Sequence, residues 1–200
     1  MRTIRNPGAG HVGFDLSLRA PAAVFIPWDW KLGEWRSLAW ETIRPEEVES
    51  GDVRGGIVRT IKIAGWARDF VLSHRANFVS IEAYAFSKQS RSVTALAELG
   101  GVARVELLTH GRCPRILNAS EARGVLLGKV RKVDMPDGIK VYVQAALHRA
   151  GAPIDPGQVM RKKRTAAMPK PGVWSEDIAD AFVIANAART YQRLPAVVLA

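Results

Sequence analysis

The chain holds a single cysteine, Cys113, among 200 residues. One thiol cannot close an internal disulfide and cannot build a Cys-based zinc cluster. A free cysteine is usually a small buried apolar residue, and Cys113 is expected to be one rather than a nucleophile. No apolar run is long enough to span a bilayer. The first residues pass through Asn6, Pro7 and Gly8 into a short strand-like run, unlike a signal peptide, so a cytoplasmic location with reduced thiols is expected. Internal repeats and low-complexity tracts are lacking. The four histidines (His11, His74, His110, His148) show no metal-ligand spacing and are expected at the surface or in the core. Acidic residues are also scarce: Asp and Glu number 19 against 29 Lys and Arg, giving a net charge of +10 and a pI near 10.3. That balance favours phosphate backbones or acidic membrane surfaces as partners. No amphipathic cationic helix stands out to support the membrane alternative.

What is present is ordinary globular composition, 48% hydrophobic and 24% charged. One domain over residues 1–200 is expected, with a basic irregular loop at about 151–173. Val12, Phe14, Leu16 and Leu18 alternate with Gly13, Asp15 and Ser17, which predicts a strand over 12–18. A turn at Arg19-Ala-Pro21, a strand over 22–27, a turn at 29–33 and a strand over 36–42 complete an opening meander. Apolar spacing predicts a helix over 53–74, a central strand over 78–84 buried on both faces, and a long helix over 90–109. The stripe Val93, Leu96, Leu99, Val102, Val105 and Leu108 would face the sheet or form a dimer seam. A short strand over 115–118, a helix capped by Ser120, a helix over 138–150 and a last helix from Ser175 to about Gln192 follow. This order predicts an α/β fold: a five-stranded mixed sheet, three opening strands antiparallel, flanked by helices on both faces.

Against the basic background, four carboxylates sit in awkward settings. Asp15 interrupts an apolar strand, and its face-mates Gly13 and Ser17 are small enough to leave room for an ion, a ligand or a close backbone. Glu82 lies within the central strand, where an acid needs a partner or a metal. Asp177 and Asp180 are one helical turn apart and project from one face. Read singly, Asp15 suits the outer face of an edge strand, and the Asp pair suits a solvated helix N-terminus. Gathered together, their repulsion calls for a divalent cation bound by hard oxygens. Such acids, binding two Mg²⁺ ions about 4 Å apart, can activate water for in-line displacement at a phosphodiester, leaving a 5′ phosphate.

The order of these residues resembles the RuvC family of Holliday junction resolvases, RNase H-like nucleases. Gly13-Phe-Asp-Leu-Ser17 resembles the family's strand-one Asp. Ser80-Ile-Glu-Ala-Tyr-Ala-Phe-Ser-Lys-Gln-Ser-Arg-Ser-Val93 resembles its strand-four Glu, aromatic loop and following helix. Ala97-Glu-Leu-Gly-Gly-Val-Ala-Arg104 resembles the dimer helix. Arg123-Gly-Val-Leu-Leu-Gly128 and Lys140-Val-Tyr-Val-Gln144 resemble a segment with two basic residues near the active site, and Asp177-Ile-Ala-Asp-Ala181 resembles the C-terminal acidic helix. The resemblance spans about Val12 to Ala187. It implies an RNase H-like fold, a homodimer, and Mg²⁺ or Mn²⁺ bound by Asp15, Glu82, Asp177 and Asp180. It implies further that Lys88 contacts DNA and that Arg123 and Lys140 stand near the scissile phosphate. Tyr84 and Phe86 flank the position of the family's base-stacking aromatic, with Phe86 preferred. Glu176 is an extra carboxylate that would join a second metal or be solvated. The segments 33–54 and 153–171 depart from the short bacterial form, as in a phage-type or divergent member.

Two dense basic runs, Lys129-Val-Arg131-Lys132 and Arg161-Lys162-Lys163-Arg164, are expected to meet phosphates. Each phosphate neutralised adds about 0.9 to the salt slope on duplex DNA. Trp28, Trp30, Trp35 and Trp40 cluster near the second and third strands and are expected to be packing residues. The reading that follows is a Mg²⁺-dependent, homodimeric endonuclease resolving four-way DNA junctions. The alternatives are a relative acting on flaps, forks or RNA–DNA hybrids, and a non-catalytic junction-binding protein.

Overall fold

The computed structural model describes residues 10–49, 51–83, 91–128, 137–154 and 172–190. Among them, five strands form one mixed sheet: β1 (Gly10–Asp15), β2 (Ala22–Pro27), β3 (Ala39–Thr42), β4 (Phe78–Glu82) and β5 (Arg115–Leu117). The order is β3-β2-β1-β4-β5, with β1–β2 and β2–β3 antiparallel and β1–β4 and β4–β5 parallel. The expected α/β architecture with an antiparallel opening meander is therefore present. β1 is the middle strand, so both its faces must be covered.

The faces divide its residues by the two-residue period of a strand. Val12 and Phe14 pack against α1 (Val53–Ser73) and α2 (Arg91–Thr109), with Ile63, Ala67, Phe70, Leu99, Ala103 and Leu107 closing that core. α1 begins where the Asp52 side chain accepts the Gly55 amide at 2.9 Å, capping an orphan donor. His11, Gly13 and Asp15 point to the other face, which is covered by α3 (Ala119–Leu127), α4 (Ile139–Arg149) and α5 (Glu176–Thr190). An aromatic cluster seals it: Trp35 sits 5.7 Å from Trp174 and 5.5 Å from Phe182, and its Nε1 donates to the Ala150 carbonyl at 2.8 Å.

Several boundaries and burials differ from expectation. β1 runs over Gly10–Asp15 and stops short of Leu18, because Ser17 Oγ accepts the Ala20 amide at 3.0 Å and turns the chain. The stretch Trp35–Ser37 is a single 3-10 turn and only Ala39–Thr42 pairs, because Trp35 and Leu38 are drawn into the core. β4 ends at Glu82, and Ala83 lies outside it. α3 is capped by Asn118, whose Oδ1 accepts the Ser120 amide at 2.8 Å, and not by Ser120 itself. Ser175 does cap α5, accepting the Ile178 amide at 3.3 Å. Cys113 is exposed, on the connection that leaves α2 for β5. The stripe of α2 is split: Leu99 is fully buried, whereas Val105 and Leu108 are 62% and 58% exposed. Trp30 and Trp35 are packing residues as expected, but Trp28 is 40% exposed.

Candidate active site

α5 lies directly on β1, and Gly13 makes this possible. A Cβ there would collide with the Ala181 carbonyl oxygen and the Ala185 backbone. Alanines at 179, 181, 185, 187 and 188 keep α5 thin, and it is buried from Ile178 to Arg189. The contact sets the register of the two elements. Two residues beyond Gly13 in one direction, Asp15 meets the first turns of α5, where Asp177 and Asp180 stand. Two residues in the other direction, His11 meets its last turn and Arg189.

Asp15, Glu82, Asp177 and Asp180 therefore fall within electrostatic reach of one another, from the ends of β1 and β4 and the start of α5. Burial pushes the Asp15 carboxyl well above the usual carboxylate range, and Glu82, Asp180 and Asp177 push it further, against the pull of Lys140. Glu82 is raised as well, first by burial and then by Asp180, while Arg123, Lys140 and a hydrogen bond with Asp15 oppose the shift. In both cases desolvation is the larger cause and repulsion from the neighbouring acids the second.

Two cations answer these acids. Arg123, buried on α3, donates from Nη2 to Asp180 Oδ1 at 3.1 Å. Lys140, in the first turn of α4, donates from Nζ to Asp180 Oδ2 and to Glu176 Oε1, each at 2.8 Å. Burial alone would lower the Lys140 ammonium, but Asp180 and Glu176 outweigh it and hold it above the usual lysine range. Asp180 is thus engaged on both oxygens. The sequence marks Glu176 only as an extra carboxylate, for a second metal or for solvent; its ion pair with Lys140, across a 36-residue separation, follows no local pattern.

The donor set is made of hard oxygens, burial and neighbouring acids raise the Asp15 and Glu82 carboxyls, and an ammonium stands where a cation is attracted. In donor type and charge these residues fit a hard divalent ion. As placed, no three Asp, Glu, His or Cys side chains among the described residues surround one point closely enough to hold a metal. Asp180 is bonded to Lys140 and Arg123, and Asp15 to Glu82. Of the other residues singled out in the sequence, Tyr84, Phe86, Lys88, Lys129, Arg131, Lys132 and the run Arg161, Lys162, Lys163 and Arg164 lie outside the described residues.

No protein-family model matches the sequence, and no curated protein matches it. Solved structures do match. Thermus thermophilus RuvC in complex with a Holliday junction substrate superposes with a TM-score of 0.59 at 13% identity, covering 92% of this chain and 95% of that one. The fold is that of RuvC. A second T. thermophilus RuvC structure gives a TM-score of 0.56 at 16% identity, with the same coverage. The yeast mitochondrial Holliday junction resolvase Ydc2 gives 0.55 at 10% identity, over 94% of this chain and 80% of its own. At such low identity the RuvC-like fold is common to all three, while residue roles must be argued from this chain's own chemistry.

Proposed function

We propose that the protein is a metal-dependent, structure-selective endonuclease that resolves four-way DNA junctions. The observation carrying this reading is the meeting of Asp15, Glu82, Asp177 and Asp180 at one end of the β1–α5 contact in a chain of net charge +10. Nothing in the packing calls for four acids there, since each is costly when desolvated. A function that uses their charge accounts for them. Asp15, Glu82, Asp177 and Asp180 would hold Mg²⁺ or Mn²⁺, two ions in all, and the bound metal would supply a nucleophile from water and stabilise the leaving 3′ oxygen. Arg123 holds Asp180 in place from behind. Lys140, 45% exposed at its side chain, is the cation able to reach a phosphate at the rim. The basic runs Lys129–Lys132 and Arg161–Arg164, with Lys88, would track the backbone, and Phe86 or Tyr84 would stack at the branch point.

Junction selectivity is supported by the fold comparison, because one RuvC-like neighbour is bound to a Holliday junction. Two copies would place two sites on opposed strands, so a homodimer making paired symmetric nicks with 5′ phosphates is part of the proposal. The test is single-turnover cleavage of a four-way junction in Mg²⁺, beside a flap, a fork and an RNA–DNA hybrid. The junction should be cut fastest. Asp15→Asn and Glu82→Gln should each slow it by about 100-fold or more, roughly 2.7 kcal/mol of transition-state stabilisation, with binding retained. Wild-type rates in both variants would refute the site, faster flap or hybrid cleavage would reassign the substrate, and no cleavage of any branched DNA would leave a non-catalytic binder.

A further inference from the structure

Lys140 occupies an unfavourable local position. It lies in the first turn of α4, where the helix N-terminus repels a cation, and its cap residue, Gly138, offers no side chain. Its carboxylate partners must therefore account for its placement. They are Glu176 and Asp180, four residues apart on one face of α5. The two differ in situation. Asp180 is buried, with 6% of its side chain exposed, and its second oxygen belongs to Arg123. Glu176 stands at the rim, 31% exposed, and its contact with Lys140 does not pass through the buried acids.

This asymmetry has a consequence for a loaded site. Asp180, with Oδ1 on Arg123 and Oδ2 on Lys140, would have to loosen its hold on Lys140 to serve a divalent ion. An ammonium released there would be driven off by the ion's own charge unless another carboxylate kept it. Building on the metal-dependent reading above, we propose that Glu176 is a positioning residue for Lys140, retaining the ammonium at the rim when Asp180 turns to a divalent cation. Glu176 is then no metal ligand, although it directly precedes Asp177. Its role is to leave Lys140 one salt bridge from the acids, within reach of a DNA phosphate.

The ammonium protons of a lysine give a sharp NMR signal only when a salt bridge protects them from rapid exchange with water, so the Lys140 signal, assigned by its loss in Lys140→Met, reports its position directly. In the wild type it should persist from zero to saturating Mg²⁺. In Glu176→Gln it should persist without Mg²⁺, held by Asp180, and vanish when Mg²⁺ is added. Mn²⁺ affinity, read by electron paramagnetic resonance, should change by less than about threefold in Glu176→Gln and fall by about tenfold or more in Asp180→Asn. A signal that survives Mg²⁺ in Glu176→Gln overturns the assignment, and so does a tenfold loss of Mn²⁺ affinity in that variant, which would mark Glu176 as a ligand. Neither readout depends on cleavage. A wild type that binds Mg²⁺ and cuts junctions while Glu176→Gln keeps its signal defeats this inference alone. A wild type that binds neither ion defeats this inference and the metal-dependent function together.

Discussion

Asp15 is held in a state that opposes folding. Its carboxyl is raised by burial and by three neighbouring acids, so the folded chain retains a proton that the unfolded chain releases. The sign of the linkage follows: a raised carboxyl weakens the fold as pH climbs past the ordinary carboxylate value. Asp15→Asn removes the charge and keeps the shape. In metal-free buffer at pH 7 it should therefore be more stable than the wild type, by about 1 to 2 kcal/mol, the scale of an uncompensated buried polar group. Urea denaturation with and without Mg²⁺ checks this, and a less stable Asp15→Asn without metal would show that the acid is structurally required. Gly13 makes the opposite case. A Cβ at residue 13 would stand 2.8 Å from Ala185 Cα as well as against the Ala181 carbonyl, and backbone cannot step aside as a side chain can. Gly13→Ala should cost about 3 kcal/mol or more. Gly56→Ala, in α1 with nothing within 4 Å of the added carbon, should gain about 0.5 to 1 kcal/mol from helix propensity. Equal effects in the two would mean that α5 does not rest on Gly13.

The pairing of β1 with α5 has two chemically opposite ends. Past Gly13 from the acids, His11 is fully buried, stacked 5.0 Å from Phe78 and 5.7 Å from Trp28. Neither of its ring nitrogens has a hydrogen-bond partner among the described residues. Arg189, at the C-terminal end of α5 where a cation suits the helix dipole, lies over Trp30 at 5.6 Å and donates to its carbonyl at 3.2 Å. Burial first, and then the Arg189 charge, lower the His11 imidazole to about 4. A base depressed in the fold stays neutral while the unfolded chain takes up a proton, so stability is complete above the ordinary histidine value and is lost as pH falls towards 4. Between pH 7.5 and pH 4.5 the loss should be about 2 to 3 kcal/mol. His11→Phe should remove that component, and parallel urea-stability curves for the two proteins over this range would exclude it. The same pair of elements shows what a sequence discloses. Alternation of Val12 and Phe14 with Gly13 and Asp15 marks a strand because the two-residue period is local. The acids of β1, β4 and α5 were legible because carboxylates are out of place in apolar surroundings. The link between His11 and Arg189, the packing of Trp35 on Trp174, and the hold of Glu176 on Lys140 were not legible, because each joins distant segments through tertiary contact. The cap of α3 fell between two suitable residues, Asn118 and Ser120, and only the geometry of the first turn separates them.

At the scale of the whole molecule, the faces of the sheet have different relations to solvent. The face bearing α5 is sealed by the aromatic cluster and holds the acids at its edge. The opposite face is covered by α1 and α2, and α2 turns Leu99, Ala103 and Leu107 inward while Val102, Val105 and Leu108 remain outside at 37%, 62% and 58% exposure. These three residues recur every third position, so they share one side of the helix. α1 leaves Ile57 and Ile61 exposed as well, at 55% and 57%. Apolar side chains grouped on one side of a helix mark a surface that gains by being covered. Paired nicking demands two acid sets, and each chain supplies one, so a second copy is the covering the proposed function requires. Isologous contact through α2 would bury the same residues on both partners. Val105→Asp combined with Leu108→Asp should shift the protein from dimer to monomer in sedimentation equilibrium without unfolding it, since both positions are exposed in the single chain. On a cruciform plasmid the wild type should give linear product, from two cuts made within one binding event. The monomeric variant should accumulate nicked circles, because its two cuts come from separate encounters. Linear product formed by a protein that sediments as a monomer would break the connection between this surface and symmetric cleavage.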